Sequence, residues 1–311
     1  MNMESNSSKR SQTCKFESPW SLATDRIGEL PDVLLHHILS FLRAKQAVQT
    51  SILSKRWRYL WTSISSLDFD VRDFATDKSF KIFIHKALHL RDTGSDVVSF
   101  RVSWPWIANE ELDVLMQYAS DHKVELMEID CWRPCPLFKY PSLCCSLRAF
   151  TLVRGWLGGQ LDLLTTFHNL RSLHLCDTWV QAPLESLILR CPALEEFFLK
   201  SSSFVSLKIY SAKLTELTIL DCSSHDGKIE LSCPNLASLS YRNRCTDCSL
   251  ENLYSLASAY LCCSEHKGVK FLNSLCNVKV LILDCLHLEV CTCTIMLLVY
   301  KHVYMHMHTH I

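Results

Sequence analysis

The second half of the sequence repeats one pattern, L-x-x-L-x-L, in which other apolar residues replace some of the leucines. Clear copies begin 23, 24, 20, 22 and 42 residues apart. They are Leu147/Phe150/Leu152, Leu170/Leu173/Leu175, Leu194/Phe197/Leu199, Leu214/Leu217/Ile219, Leu236/Leu239/Tyr241 and Val278/Leu281/Leu283. The x-L-x-L part predicts a short strand with alternate residues pointing inward. Because one copy cannot bury its own apolar face, neighbouring copies must stack on a shared core. An α/β solenoid with a parallel sheet is therefore expected.

The gap of 42 residues predicts one irregular copy, around Leu253 and Leu256. In the regular copies we expect inward-pointing side chains at Leu173, Leu175, Leu217, Ile219, Leu281 and Leu283. Neighbouring polar positions, such as His174 and Thr218, are expected to tolerate substitution.

Residues 25–65 predict a compact unit of three short helices. The first helix opens at Pro31, which suits a first turn because its missing N–H has no partner there. Its apolar stripe is Leu34, Leu35, Ile38, Leu39 and Leu42. The second helix carries Ala47, Val48, Ile52 and Leu53. A third begins near Ser54 and places Trp57, Leu60 and Trp61 on one face. A unit of about 40 residues cannot bury all this surface alone. The excess is covered either by a partner or by the rest of the chain.

Residues 25–61, DRIGELPDVLLHHILSFLRAKQAVQTSILSKRWRYLW, resemble an F-box over its whole length. The resemblance implies a three-helix unit that binds a Skp-type linker protein, which in turn binds a cullin. By position in the motif, it implies linker contacts at Leu30, Pro31, Ile38, Leu39, Leu53, Trp57 and Trp61. Plant relatives usually have proline after the F-L pair, where this chain has Arg43.

The repeat period lies within the ~20–29 residues typical of leucine-rich repeats. The phrases Cys191-Pro192 and Cys233-Pro234 before two copies resemble plant F-box/LRR proteins. The expected fold is an N-terminal three-helix F-box followed by an irregular leucine-rich-repeat solenoid. The expected segments are a disordered tail at 1–24, the F-box at 25–65, a connecting and N-terminal cap region with the first irregular repeats at 66–142, leucine-rich repeats at 143–289, and an atypical tail at 290–311.

Composition excludes several function classes. Lys+Arg and Asp+Glu both number 32, so net charge gives no reason to expect binding to nucleic acid or to a membrane surface. With 7 glycines, the chain has no glycine-rich phosphate-binding motif. It shows no signal peptide and no apolar run of ~18–20 residues, so we expect the cytoplasm and/or nucleus. The 17 cysteines are then interpreted as reduced, mostly buried side chains.

Candidate metal and catalytic residues are weak. His302, His306, His308 and His310 fit no single ligand geometry, and Cys245 and Cys248 lack a second ligand pair at suitable spacing. No nucleophile elbow and no H-E-x-x-H motif occurs. We therefore expect no enzymatic activity, no catalytic residue, no metal and no cofactor.

Tryptophans outside the F-box are the best candidates for contacts with a target protein. Those singled out are Trp104, Trp106, Trp156 and Trp179. Tryptophan is enriched among residues that dominate binding energy at interfaces. The alternative is that these rings fill the cap and the edges of the solenoid core.

The sequence thus predicts a substrate-recognition adaptor of a Skp-cullin-F-box ubiquitin ligase. The F-box would hold the linker, and the concave or loop face of the repeats would hold an unidentified target. The alternatives are a repeat-based interaction scaffold, or truncated form, that joins no ligase, and a small-molecule receptor. A receptor would need a closed pocket, and the regular repeats are too few to curl around one.

The last segment, residues 290–311, lacks the repeat pattern and has alternating Cys-Thr and His-Met-His-Thr-His runs. Relatives often continue with further repeats and an FBD domain, which this segment does not resemble. We expect a tail outside the domain, from a read-through intron or a truncated gene model. The alternative is that residues 295–304 cap the solenoid as a strand or helix.

Overall fold

A computed structural model describes residues 27–158, 166–181, 183–225, 228–242, 247–263, 277–285 and 304–307. In these ranges, a short helical unit is followed by parallel strands that are joined by helices and loops. The α-helices α1 to α6 span Asp32–Leu39, Ala44–Gln49, Asp77–Leu90, Asn109–Asp121, Pro141–Ser146 and Leu184–Ile188. Short 3-10 helices span Thr50–Ile52, Leu60–Ser63, Val71–Asp73 and Leu137–Lys139.

The strands, numbered along the chain, are short and mostly of similar length. They are β1 Ser66–Asp70, β2 Ser99–Ser103, β3 Leu126–Asp130, β4 Ala149–Val153, β5 Trp156–Leu157, β6 Ser172–Cys176, β7 Trp179–Val180, β8 Glu196–Lys200, β9 Ser203–Phe204, β10 Leu207–Tyr210, β11 Glu216–Leu220, β12 Ser223–Ser224, β13 Lys228–Ser232, β14 Ser238–Arg242, β15 Asp247–Glu251, β16 Ser258–Cys263, β17 Val280–Cys285 and β18 Tyr304–Met307.

The main sheet within the described ranges has 11 strands, in the order β1-β2-β3-β4-β6-β8-β11-β14-β16-β17-β18. Every pair of neighbours in it is parallel. The other strands form two smaller parallel sheets, with the strand orders β12-β9-β7-β5 and β10-β13-β15. The predicted α/β solenoid is confirmed. Its sheet begins at β1, well before the first regular copy of the repeat pattern at Leu147.

Alternation along each strand builds the core. In β11, Leu217 and Ile219 are buried while Thr218 between them is partly exposed. The ladder places Leu217 beside Phe197 of β8 on one side and Leu239 of β14 on the other. Leu173, Leu175 and Leu281 are buried as predicted, whereas the side chain of Leu283 lies outside the described residues. The irregular copy around Leu253 and Leu256 buries both leucines and leads into β16.

The ends of four main strands share one turn. The residue after β4, β6, β8 and β11 lies in the left-handed region, with φ between 49 and 61° at Arg154, Asp177, Ser201 and Asp221. The following residue is small and buried at Gly155, Thr178, Ser202 and Cys222. A Cβ at Gly155 would lie 2.8 Å from Leu152 Cδ1, so a larger residue at this position would require the Leu152 side chain to shift. This turn connects each of these four strands to a strand of the small β5-β7-β9-β12 sheet. The first residue of each small strand therefore lies close to the carboxyl end of the main-sheet strand before it.

The N-terminal helical unit differs from expectation in its third segment. Residues 55–59 form turns and Leu60–Ser63 a 3-10 helix, where the sequence predicted an α-helix from Ser54. The spacing of Trp57, Leu60 and Trp61 still buries all three side chains, because successive tight turns keep them on one side.

Several predictions concern residues that the structure describes only in part or not at all. The tail at 1–24, Cys245, His302, His308 and His310 lie outside the described residues. Of residues 290–311, only the backbone of β18 is described, and it pairs with β17. That the tail lies outside the domain stays a prediction.

Replacing Leu217 with alanine tests the shared core. The change removes a buried side chain between two strands and leaves a cavity, so we expect a loss of about 2–5 kcal/mol in the free energy of unfolding. The neighbouring Thr218→Ala, which faces the opposite side, is expected to change it by less than about 0.5 kcal/mol. Denaturant unfolding measures both. Equal effects of the two substitutions would contradict the inward ladder.

The helical unit meets the first strand through a buried carboxylate. Asp70, at the end of β1, is fully buried and binds Arg72, with the Arg72 Nη2 to Asp70 Oδ2 distance at 2.5 Å. Arg43 Nη1 lies 3.4 Å from Asp70 Oδ2 and 2.9 Å from Asp73 Oδ1. Lys45 donates to the carbonyl of Asp73. Residues of two segments about 30 positions apart are thus joined at one point.

Burial by itself would raise the pKa of the Asp70 carboxyl. Hydrogen bonds from Arg72 and the charges of Arg72 and Arg43 outweigh it, so this pKa lies below its ordinary value of 3.8. A lowered pKa in the folded state means that the fold favours the ionised form. The stabilisation is therefore complete above the ordinary pKa and is lost as the pH falls through the lower, folded-state pKa.

Asp70→Asn is expected to lower the free energy of unfolding by about 2 kcal/mol at pH 7, because two arginines lose a buried charged acceptor. The difference between the variant and the parent should shrink as the pH falls below 4. Thermal or urea unfolding of both proteins between pH 7 and pH 3 measures it. A difference that stays constant over this range would show that the carboxylate charge is not what matters.

Candidate functional site

The N-terminal helical unit presents an exposed apolar surface. Eight large apolar side chains in it are between 40% and 85% exposed. They are Ile27, Val33, Leu34, Ile38, Phe41, Ile52, Leu53 and Tyr59, and we call them the helical-unit face. Single exposed apolar residues are ordinary, but a group of this size within 33 positions of sequence makes the unit a candidate interaction surface.

Helix α1 divides its apolar residues between two faces. Leu35 and Leu39, four positions apart, are both fully buried against the core. Leu34, Ile38 and Phe41, at positions i, i+4 and i+7, lie on the other side and are exposed. The sequence predicted a single apolar stripe, but the structure divides it between two faces. One face packs in the core of the unit and the other is exposed to solvent.

The seven predicted linker contacts are divided in the same way. Leu53, Pro31 and Ile38 are exposed and Leu30 is partly exposed, so they remain candidates. Leu39, Trp57 and Trp61 are at most 9% exposed and belong to the core of the chain. Side chains this deeply buried have little area left for a partner, so the structure gives these three a core role and their assignment as linker contacts stays an untested prediction.

Val33, Leu34, Phe41, Ile52 and Tyr59 are exposed but were not among the predicted contacts. The i, i+4, i+7 spacing of Leu34, Ile38 and Phe41 was the signal for three residues of the face. No comparable pattern marks Ile52 and Tyr59, which lie on tight turns.

Two arginines hold the helical-unit face in place. Arg56 donates to the Asp32 carboxylate at 3.0 Å from Nε and to the carbonyls of Gly28 and Leu30. Arg43, where plant relatives usually have proline, precedes α2 with φ −63°. That φ is the one proline would impose, so the turn keeps its shape. The arginine adds the ion pairs to Asp70 and Asp73.

A second exposed surface lies on the strand side of the solenoid. Trp106, Trp132, Trp156 and Trp179 follow β2, β3, β4 and β6, and are between 40% and 71% exposed. The rings form two pairs, with centroids 6.4 Å apart for Trp106 and Trp132 and 5.9 Å apart for Trp156 and Trp179. We call these four residues the tryptophan row.

Backbone and side-chain contacts fix the row. Trp132 N donates to the Pro105 carbonyl, Trp156 N to the Arg133 carbonyl and Trp179 N to the Gly155 carbonyl, at 2.8, 3.1 and 3.1 Å. The Arg154 guanidinium lies 5.8 Å from the Trp132 ring centroid. Its Nε donates to Asp130 Oδ1 at 2.6 Å. These contacts hold the rings at the carboxyl ends of neighbouring strands of the main sheet.

Trp104 does not join the row. It is 5% exposed, packs edge-on against Phe80 at a centroid distance of 5.0 Å, and places Nε1 3.4 Å from Asp77 Oδ2. Its prediction as a target contact is corrected, since it fills the space between α3 and the sheet. Trp132 takes its place. Trp132 was not among the predicted contacts, because nothing in its local sequence indicates that it stacks on Trp106.

Most of the described cysteines lie in the core. Six of them are buried and form no disulfide: Cys131, Cys135, Cys144, Cys191, Cys222 and Cys233. Burial raises the pKa of the Cys131 thiol to about 11 and of the Cys144 and Cys191 thiols to about 12. At neutral pH they are uncharged, and the thiolate is the form that attacks or binds metal. They act as small core residues.

A cleft of about 300 Å³ lies on the β10-β13-β15 sheet. It is lined by Tyr210, Glu230 and Glu251, among others, and Tyr210 donates its hydroxyl to Glu230 at 2.8 Å. Small-molecule sites are mostly apolar and enclosed, so this acidic cleft gives no support to a small-molecule receptor. Among the described residues, no three histidine, cysteine or acidic side chains converge in a metal-binding arrangement. No helix in the described ranges is long and apolar enough to span a membrane.

Comparison with known proteins decides the family. The F-box domain family matches residues 27–69, which contain the helical-unit face. An F-box/FBD/LRR-repeat protein of Arabidopsis thaliana is 30% identical over 303 residues, covering 83% of this chain and 60% of the relative. The chain is an F-box/LRR-repeat protein of the plant type.

Other curated relatives from Arabidopsis thaliana agree. An F-box/LRR-repeat protein is 29% identical over 248 residues, which cover 77% of this chain and 52% of the relative. A further F-box/FBD/LRR-repeat protein is 30% identical over 288 residues, which cover 85% of this chain and 66% of the relative. The F-box/LRR-repeat chain thus spans about half to two thirds of the length of these relatives.

Trp57→Ala separates core from surface in the F-box. Trp57 is 5% exposed, so its removal is expected to cost about 3–5 kcal/mol in the free energy of unfolding. Leu53→Ala, at a side chain that is 64% exposed, should change it by less than about 0.5 kcal/mol. Thermal melting of the full chain measures both changes. If Trp57→Ala leaves the free energy of unfolding unchanged, Trp57 is not a core residue and is again a candidate linker contact.

Proposed function

We propose that the chain is a substrate-recognition adaptor of a Skp-cullin-F-box ubiquitin ligase. The F-box would bind a Skp-type linker, and through it a cullin, while the repeats would hold a target protein. The observation that carries the proposal is the helical-unit face, a group of eight exposed apolar side chains inside the segment that matches the F-box family. Covering such a surface is favourable at about 25 cal/mol per Å² of apolar area.

The mechanism of an adaptor is approximation, with no bond made or broken by its own residues. Holding a target beside a ubiquitin-charged enzyme raises the local concentration of target lysines and makes the encounter intramolecular. A rigid connection between the two binding surfaces serves this purpose. The salt bridges from Arg43 to Asp70 and Asp73 join the F-box to the first strand of the solenoid.

For the target we propose the tryptophan row, with Trp106, Trp156 and Trp179 from the predicted set and Trp132 added. Exposed, pre-positioned tryptophans contribute most when they become buried at the centre of an interface. The proposed location is the cytoplasm or nucleus, where the ligase components work. The alternative, a repeat scaffold outside any ligase, leaves the helical-unit face without a partner and is favoured only if no linker binds.

Linker binding is tested with the purified full chain and a plant Skp-type linker. Phe41→Ala and Leu53→Ala remove side chains that are 75% and 64% exposed, so the fold should survive. If both are interface anchors, each costs about 2 kcal/mol, or roughly thirtyfold in Kd. Co-purification gives the first answer and calorimetric titration the affinity.

The matched control is Leu189→Ala, at an equally exposed leucine just after α6 in the repeats. It should leave the affinity for the linker unchanged. Absence of linker binding by the parent chain would favour the scaffold alternative. Unchanged binding by both F-box variants would place the interface elsewhere.

A further inference from the structure

The tryptophan row has a spacing and a chemistry that select one kind of occupant. We propose that it binds a proline-rich segment in the polyproline II conformation, flanked by an acidic residue. This rests on the adaptor function proposed above, because the segment belongs to the target. Linker binding is measured separately, so the two proposals can fail independently.

The spacing of the row matches the repeat of a polyproline II helix. The two ring pairs follow β2 and β3, then β4 and β6, which are four consecutive neighbours in the main sheet. Parallel strands lie about 4.8 Å apart at the backbone, so the attachment points of the two pairs are displaced by roughly 9.6 Å. Within each pair the ring centroids stand farther apart than the strands, at 6.4 and 5.9 Å. A polyproline II helix returns to the same face every three residues, or about 9.3 Å. A segment with proline at every third position can therefore set one pyrrolidine ring on each pair.

The row also offers the hydrogen-bond donors that such a segment lacks. A polyproline II backbone has no internal hydrogen bonds, so its carbonyls are free to accept. An indole N–H is a donor only. In the part of the chain that the structure describes, none of the four indole N–H groups of the row donates to a protein acceptor; the one indole bond there belongs to Trp104.

The exposed area and its limits fit a short segment. The four exposed fractions add up to about two whole tryptophan side chains, or roughly 300–500 Å². The row ends at β9, where Ser203 occupies the position in register with Trp179. Rigid rings and a stiff polyproline II segment lose little conformational freedom on association, so even a small contact can bind.

Charge at the row favours an acidic flank. Arg154 is neutralised by Asp130, which also accepts from Ser103 Oγ at 2.9 Å. Arg133, next to Trp132, donates from Nε to the Ile107 carbonyl at 2.8 Å. Among the described residues, Arg133 has no carboxylate partner and Asp177, two positions before Trp179, has no basic partner, so the uncompensated positive charge lies at the Trp132 end of the row. A carboxylate beside the prolines would pair with it.

A carbohydrate is the other common ligand of exposed tryptophans. Sugar binding combines ring stacking with polar side chains that bond the hydroxyls, and here one carboxylate beside the row, Asp130, is already held by Arg154 and Ser103. The geometry therefore favours the peptide, and an oligosaccharide is an outcome of the test.

The test uses the purified full chain and synthetic 12-residue peptides. One peptide has proline at every third position and an aspartate pair at one end; a second is the same without the aspartates; a third has alanine in place of each proline. Tryptophan fluorescence and calorimetry report binding. We expect the proline peptides to bind and the alanine peptide to bind at least tenfold more weakly.

Variants locate the site. Trp132→Ala and Trp156→Ala should each weaken binding at least tenfold, while Tyr254→Ala, at an exposed aromatic elsewhere on the repeats, should not change it. Arg133→Gln should reduce the affinity for the aspartate peptide to that for the neutral one. All variants should keep the parent melting temperature and the parent affinity for the linker.

Three results would overturn the proposal: equal binding of the alanine and proline peptides, no binding of any of them, or a preference for a hexasaccharide of β-linked glucose or N-acetylglucosamine. If the parent chain binds the proline peptides but no Skp-type linker, the result counts against the adaptor function alone.

Discussion

Burial of one apolar row per repeat, shared with the repeats on either side, is the constraint on which the rest of this structure depends. Leu217 of β11 is buried only because Phe197 and Leu239 lie beside it. No repeat could keep its strand in water alone, since a five-residue strand has too little apolar surface to offset its loss of conformational entropy. The parallel ladder from β1 to β18 is the result.

The F-box is continuous with this core. Its buried Leu35, Leu39, Trp57 and Trp61 belong to the same hydrophobic cluster as the strand residues. At the junction, Arg43 replaces the proline that plant relatives usually have. It keeps the proline-like φ and adds charged contacts to Asp70 and Asp73. An F-box that packs on the solenoid has a fixed orientation toward whatever the solenoid binds, which an adaptor requires.

The same repeat geometry organises the outer surface. Because β4 and β6 end in the same left-handed turn, the residue three positions after each strand reaches the same edge. Tryptophan in this position produces paired rings at the spacing of the strands, and serine in the following repeats ends the row. The residue at this position of each repeat thus decides the chemistry of the outer surface, and the number of repeats with tryptophan there decides the length of the row.

Much of the architecture followed from the sequence alone. The spacing of leucines predicted the strands, their inward residues and their parallel order, because these depend on local alternation and on a repeated period. The motif at 25–61 likewise predicted the F-box and its first helix. The alternation within each strand is local, and the repeat period can be read along the chain, so both are visible without knowledge of the packed structure.

Tertiary structure alone decided which apolar side chains are covered. Leu39, Trp57, Trp61 and Trp104 were predicted as contacts and are buried, whereas Phe41 and Trp132 are exposed. Nothing local separates Trp104 from Trp106: two positions apart, one packs on Phe80 of α3 and the other stacks on Trp132 after β3. Their partners lie more than 20 positions away in the chain. The burial of each ring is therefore decided only when the helices and strands pack together.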